Sequence, residues 1–399
     1  MSETRVGIGA EDVEQWFEQE SETEPGERLH DADQTDPGKK YAISQLRVVR
    51  ETKDYQLDYL RHALQPGKEL IDTAPAYQRR LRWSNKKKSL LIESFLLNIP
   101  VPPIFLFERD YNEYEVIDGR QRLEAISAFL GDEYALSGLE YWPELNRLRF
   151  SKLPKVLQKG LLRRSLPAVV LLAETKETAE DGLDVRRVLF DRLNTGGTRL
   201  NPQELRNALY PGTFNALLIK LARSAAFTDT WGIPPQVAGE EREPTEELLR
   251  NPLYSSLADA ELVLRFFALR NAIVTGKQGS LRSILDSYME KHAMLDDNES
   301  QAMEEQFITC LSRLRAVFGD MTFRLTSKRL SRPLYDALMI ALSRNPEIDI
   351  ENRADSIRAA LKSALDDEAK YDVLVGRGNT INAIHERVEL ADEILHARG

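Results

Sequence analysis

The stretch YEVIDGRQRLEAISAFL, Tyr114 to Leu130, most narrows what this chain can fold into, because it passes from strand chemistry to helix chemistry through one glycine. Glu113 to Ile117 carries the β-branched and aromatic residues of a strand. From Leu123 onward, Leu123, Ile126, Phe129 and Leu130 recur at the spacing of one buried helical face. Between the two lie Asp118, Gly119, Arg120, Gln121 and Arg122, so two guanidinium groups and several backbone N–H groups would meet at a helix N-terminus. Such a junction is a candidate anion site. The plainer reading is that Asp118 caps the helix, Gly119 makes the turn, and the arginines are solvated or paired with Glu124.

The neighbourhood bears on that choice. Residues 41–64 mix strand-like and helix-like patterns and end at Pro66-Gly67. Glu69 to Thr73 reads as a short strand, followed by APAYQRRLRWSNKKK. Between Thr73 and Ile92, Arg79, Arg80, Arg82, Lys86, Lys87 and Lys88 meet no acid, with Tyr77 and Trp83 interleaved. Cationic side chains track phosphates and aromatic rings stack on nucleobases, so the tract suits nucleic acid; a solvated loop with a core tryptophan explains it as well. Ser84 or Asn85 can cap a helix that buries Leu90, Leu91, Phe95 and Leu96 and stops at Asn98-Ile99-Pro100. IFLFERD and YEVID, joined through Asp110 and Asn112, read as a hairpin. The expected product is a compact α/β unit with Asp118 to Arg122 at the end of a sheet strand, where such folds tend to place ligands. A second acid-free tract, 145–173, holds Arg147, Arg149, Lys152, Lys155, Lys159, Arg163 and Arg164, and its end, LPAVVLLAE, reads as another strand.

Further on, Asp184 to Leu193 looks helical and stops at Asn194-Thr195-Gly196-Gly197. Asn201 as cap, Pro202 in the first turn and Glu204 as a capping-box acid start the next helix. Beyond Tyr210 helical patterns dominate: 214–226, 257–269, 281–289, 306–318, 333–342 and 357–365. GIPPQVAGEEREPTEELLRNP reads as a surface loop, and Arg265-Phe266-Phe267, Tyr335, Leu338 and Met339 as core packing.

A chain of 399 residues, 42% apolar and 30% charged, has the length for two compact soluble domains. No run approaches the ~18 apolar residues of a membrane span, and the N-terminus lacks the basic start and apolar core of a signal peptide, so the expected location is the cytoplasm, without a membrane partner. Cys310 is the only cysteine, which excludes an internal disulfide and a thiolate zinc cluster, and the five histidines show no metal-ligand spacing. The net charge of -10 lies in residues 1–36, with 12 acids against Arg5 and Arg28; the remainder carries 52 acids and 52 bases. Such a tail is expected to be disordered, either a solubilising arm or a segment that competes with nucleic acid or docks on a partner. The acidic overall balance therefore says little against nucleic-acid binding by the folded part.

AYQRRLRW at 76–83, NIPVPPIFLFE at 98–108, VIDGRQRLEAI at 116–126 and FDRLNTGGTRLNPQELRNALY at 190–210 resemble, in order, the GmrSD-type restriction endonuclease N-terminal domain family. The likeness is strong over 68–210 and continues weakly into ELVLRFFALR at 261–270. It implies a ParB/sulfiredoxin-like fold and an Asp-Gly-Gln-Gln-Arg signature linked to nucleotide hydrolysis and nuclease activity in bacterial defence. Asp118, Gly119, Gln121 and Arg122 match that signature, and Arg120 stands where glutamine is usual. The resemblance makes Asp118, Gln121 and Arg122 catalytic candidates. Asp118 would hold Mg²⁺ or orient water, Gln121 would position nucleophile or substrate, and Arg122 would stabilise phosphate charge. Gly119, Arg120, Tyr77, Gln78, Arg79, Asn194 and Gly196 become nucleotide- or phosphate-binding candidates, and Arg80, Arg82, Lys86, Lys87, Lys88, Arg163 and Arg164 DNA-binding ones. The C-terminal half, with His292, His385 and His396, shows no HNH arrangement of the kind fused family members carry, so cutting of DNA by such a domain is not expected.

The expected fold is therefore α+β: an acidic tail over 1–40, a ParB/sulfiredoxin-like small mixed sheet with helices over 41–175, and an all-α domain over 176–399. The expected function is binding of nucleoside triphosphate and DNA phosphates, with Mg²⁺-dependent hydrolysis of NTP or DNA in a restriction or defence system. The rival readings are a noncatalytic nucleotide or DNA sensor that regulates a separately encoded effector or nuclease partner, and a scaffold with a vestigial pocket.

Overall fold

The computed structural model describes residues 8–21, 50–65, 70–72, 83–110, 112–172, 200–240, 244–376 and 378–397. The chain divides into two compact units, residues 33–200 and residues 1–32 together with 201–399. The division falls at 200–201 where the sequence suggests 175–176, and the N-terminal stretch groups with the second unit.

That stretch opens with α1 (Ala10–Ser21). Its acid content predicts disorder, yet Val13, Trp16, Phe17 and Glu20 share one helical face, and Val13 and Phe17 are buried in the core of the second unit. Burial of that face outweighs charge repulsion in this segment.

The sheet unit contains β1 (Arg50–Gln56), α2 (Leu57–Ala63), β2 (Ile71–Asp72), α3 (Asn85–Leu96), β3 (Ile104–Asp110), β4 (Glu113–Asp118), α4 (Arg120–Leu130), α5 (Lys155–Leu162) and β5 (Ser165–Leu171). The strands run in the order β1-β5-β3-β4-β2. β1 with β5 and β3 with β4 are antiparallel, while β3 with β5 and β2 with β4 are parallel. Alternation sets the faces: Leu166, Ala168 and Val170 of β5 are buried, while Ser165 faces water. Ile92 of α3 and Leu123, Ile126 and Phe129 of α4 pack onto the same core as Ile104 and Leu106 of β3. The unresolved pattern at 41–64 is, over its described part, strand β1 running directly into α2.

The helical unit adds α6 (Pro202–Leu209), α7 (Thr213–Ala222), α8 (Ala225–Trp231), α9 (Glu246–Arg250), α10 (Pro252–Ser255), α11 (Ala258–Thr275), α12 (Leu281–Lys291), α13 (Asp297–Phe318), α14 (Arg332–Arg344), α15 (Ala354–Asp366), α16 (Glu368–Val375) and α17 (Ile381–Leu395). α11 and α14 are buried almost all round and form its centre. Asn201 caps α6 with a full capping box through Glu204, as the sequence indicates. Two features depart from the sequence reading. The expected surface loop contains α9 and the start of α10, anchored by buried Glu240, which accepts from Arg223 Nε at 2.6 Å. The C-terminal helices α16 and α17 are additional, α17 burying Ile384, Val388 and Ala391 on one face. Among the described residues no helix is long and apolar enough to cross a membrane.

Candidate functional site

The junction from β4 to α4 is built around Gly119, the N-cap of α4, which adopts φ +98°. A Cβ there would lie 2.2 Å from Ile104 Cγ2, so both the backbone angle and the space demand glycine. The turn puts Asp118 and Arg122 one helical turn apart on one side. Arg122 Nη2 donates to Asp118 Oδ2 at 2.7 Å, and Nη1 donates to the carbonyl of Pro102 at 2.9 Å. Arg120 Nε donates to Glu124 Oε1 at 2.6 Å. Gln121 is buried, and its amide oxygen accepts from Trp83 N–H at 3.0 Å. Asp118 is therefore an ion-pair partner rather than a cap, because glycine already occupies the cap position with no side-chain bond. The pairing of an arginine with Glu124 stands as the plainer reading has it. Leu123 N–H makes the first regular helix bond to Gly119 O at 3.1 Å, and Arg122 N–H donates to the same oxygen at 3.0 Å, which removes one of the donors expected to face an anion.

The basic tracts take distinct places. Lys86, Lys87 and Lys88 form the first turn of α3, behind Ser84, whose side chain accepts from Lys87 N–H. Lys87 Nζ lies 4.7 Å above the Trp83 ring, so the tract reaches the junction through Trp83 and Gln121. Lys88 Nζ sits 5.6 Å from the Tyr134 ring centre. Arg163 is exposed after α5, and Arg164 donates to Asn98 Oδ1 at 2.7 Å, just past the far end of α3. The helix between is about 18 Å long at 1.5 Å per residue, so the two tracts bracket α3 instead of meeting at one point. Tyr77, Gln78, Arg79, Arg80, Arg82, Asn194 and Gly196 lie outside the described residues.

Two residues of this unit carry weight that the sequence did not signal. Trp83 acts through its backbone N–H, which no residue pattern marks. Glu93 on α3 is buried and accepts from Glu140, Tyr141 and Trp142 N–H at 3.2, 2.9 and 2.9 Å, folding that loop onto the helix. For a divalent cation, Asp118 offers one carboxylate, about a third exposed (32%), with one oxygen on Arg122. Among the described residues no group of three or more His, Cys, Asp or Glu side chains is placed to hold a metal ion. That donor set suits Mg²⁺ arriving on a phosphate ligand, which needs one or two carboxylates and keeps water and phosphate as its other ligands.

The Gly119 turn, the Asp118–Arg122 pair and the Trp83–Gln121 bond fall within one segment that a family describes. Residues 60–211 match the GmrSD restriction endonuclease, N-terminal domain. The GmrSD N-terminal domain match takes in β2 to β5 and runs on through α6, past the division at 200–201. Strand β1 lies upstream of it. No curated protein and no solved structure matches the chain.

Proposed function

We propose that the sheet unit binds nucleoside triphosphate and DNA phosphates at the β4–α4 junction and hydrolyses NTP or DNA there, within a bacterial restriction or defence system. The observation that carries the reading is the Asp118–Arg122 pair, partly exposed at a helix N-terminus that only glycine can form. The GmrSD N-terminal domain match gives the restriction context.

Chemically, the pair is an exchangeable one. A phosphate oxygen reaching Arg122 replaces the Asp118 carboxylate as its partner, a strong charge-assisted contact of the kind guanidinium makes with phosphate. Asp118, relieved of that partner, then orients a water toward the bound group. Mg²⁺ entering with the triphosphate would neutralise phosphate charge, with Asp118 as its protein ligand. Gln121 acts by position, fixing Trp83 and with it the end of the 76–83 tract. Lys87, held over Trp83, adds positive charge beside the phosphate path.

A second reading, a noncatalytic nucleotide or DNA sensor that regulates a partner effector, is favoured by one fact. Asp118, Arg120, Gln121 and Arg122 already satisfy one another or their neighbours. The test is phosphate release from the four ribonucleoside triphosphates with Mg²⁺, with and without duplex DNA, for wild type, Asp118→Ala and Arg122→Ala. Turnover lost in Asp118→Ala with nucleotide still bound supports hydrolysis at this site. Turnover unchanged in Asp118→Ala refutes it. Binding without turnover in the wild type, lost in Arg122→Ala, selects the sensor.

A further inference from the structure

In the helical unit, α11 and α12 pack as a helical hairpin across residues 276–280, and between them lies a cleft of about 280 Å³ that neither the junction nor the family match uses. That volume stands at the lower end of the range for small-molecule sites. The sequence lays out its walls. Ala268, Asn271 and Thr275 recur at three- and four-residue spacing on α11, as Ile284, Ser287 and Lys291 do on α12. Apolar residues on two such stripes would have closed the seam. Here the stripes carry an amide, two hydroxyls and an ammonium group, with buried Ala268 and Ile284 left as an apolar floor.

Tyr288 adds a held aromatic ring to that floor. Phe214 of α7 meets it edge-on with ring centroids 5.6 Å apart, His292 stacks on it at 4.0 Å, and His292 Nδ1–H donates to the Tyr288 carbonyl at 3.0 Å. Its hydroxyl has no hydrogen-bond partner among the described residues, and burial pushes it up to about 12, so it stays a donor. The Asn271 amide and the Ser287 hydroxyl are unused in the same sense. The charge is one-sided. Lys277 and Lys291 line the cleft, no acid does, and neither lysine has an ion-pair partner among the described residues. The backbone fixes Lys277: α11 ends in a Schellman turn, with Gly276 at φ +65° and Lys277 N–H donating to Ala272 O at 2.9 Å. Arg270, whose charge acts on the Tyr288 hydroxyl, is a third cation of this region, and its buried Nε finds no acceptor among the described residues.

We propose that this cleft binds a small organic anion, a carboxylate or phosphate on an apolar body, with the body on Ala268, Ile284 and the Tyr288 ring and the charge on Lys277 and Lys291. An inorganic ion leaves the apolar floor wet, and a neutral molecule leaves the lysines unanswered. Only a molecule with both parts uses the whole cleft. Tyr288, Ser287 and Asn271 supply the donors that orient its oxygens. Lysine is a point charge on a flexible stem and serves either head group. The cleft is also tied to the family-matched segment, because Asp286, next to Ser287, accepts from Arg206 Nε of α6 at 2.7 Å, and α6 lies inside residues 60–211. That is the position of an effector site.

The test is methyl NMR of the full-length protein labelled at isoleucine, with phenyl phosphate and benzoate as probes and with phenol and inorganic phosphate as controls. Ile284 reports on the cleft and Ile104, beside Gly119, on the β4–α4 junction, so the two sites are read separately. The Ile284 signal should move saturably with phenyl phosphate, benzoate or both, at millimolar dissociation constants, the range for a ligand of about ten non-hydrogen atoms. Each control lacks one half of the ligand and should bind at least about tenfold more weakly. Lys277→Ala combined with Lys291→Ala should weaken binding of the probes about tenfold or more. Ser287→Leu, which fills the cleft and leaves the lysines in place, should abolish it; should that variant fail to fold, the double lysine variant decides. An Ile284 signal that neither probe moves, inorganic phosphate binding as well as phenyl phosphate, binding unchanged in the double lysine variant, or binding that survives in folded Ser287→Leu overturns the proposal.

Discussion

Gly119→Ala is the sharpest perturbation of the junction. The residue holds φ +98°, where an L side chain costs about 1–2 kcal/mol. The new methyl would stand 2.2 Å from Ile104 Cγ2, 2.8 Å from Ile104 Cβ and 3.1 Å from Arg122 Nη2. Ile104 is fully buried in β3 and has no room to retreat, so the overlap adds about 1–3 kcal/mol. The sum, about 2–5 kcal/mol, should appear as at least about thirtyfold faster native-state exchange of the β3, β4 and α4 amides, since each 1.4 kcal/mol is a factor of ten. Gly160 in α5 is the control within the same unit. A Cβ there meets nothing within 4 Å, so Gly160→Ala should stabilise by about 0.5–1 kcal/mol through helix propensity alone. If the two variants shift stability in the same direction, or Gly119→Ala costs under about 1 kcal/mol, the steric account of the turn is wrong.

Glu93→Ala strips three backbone N–H groups of their acceptor and should cost about 2–4 kcal/mol in urea unfolding; Glu93→Gln, which keeps one oxygen, should fall between it and the wild type. In the helical unit, Glu351 is held below the usual glutamate range, chiefly by its hydrogen bond from Arg313, 2.7 Å from Nε to Oε1. A depressed carboxyl lends stability above its ordinary range and loses it as pH falls through the depressed value. Carbon-13 titration of the Glu351 carboxyl should therefore give a low midpoint that returns to the ordinary range in Arg313→Ala, and equal midpoints would count against the pairing.

The parts of the fold that sequence made legible are those written in local chemistry. The β3–β4 hairpin, the α3 cap at Ser84 and the Asn201–Pro202–Glu204 start of α6 follow from turn residues and caps within a few positions of each other. What stayed hidden depends on distant partners. Acidic α1 reads as disorder until Val13 and Phe17 find the helical core and Glu20 finds Arg206, 186 positions away. The junction itself was half legible. Gly119 and the charges around it announce a turn at a helix start, and both acid–arginine pairs span only four positions, but that Gln121 would accept from the Trp83 N–H, 38 positions away, depends on how the start of α3 is placed beside α4.

Strand β1 pairs with β5 along its whole length, from Arg50 with Leu171 to Gln56 with Ser165, more than a hundred positions apart in sequence. During synthesis β1 leaves the ribosome long before its partner exists, while the β3–β4 hairpin and α4 have all they need close by. On the ribosome, β1 can take its place beside β5 only once residues 165–171 have emerged. A recombinant fragment cut at residue 60, where the family match begins, would leave the backbone edge of β5 unpaired over Ser165–Leu171 and open to other chains. Soluble expression of this unit should begin before Arg50.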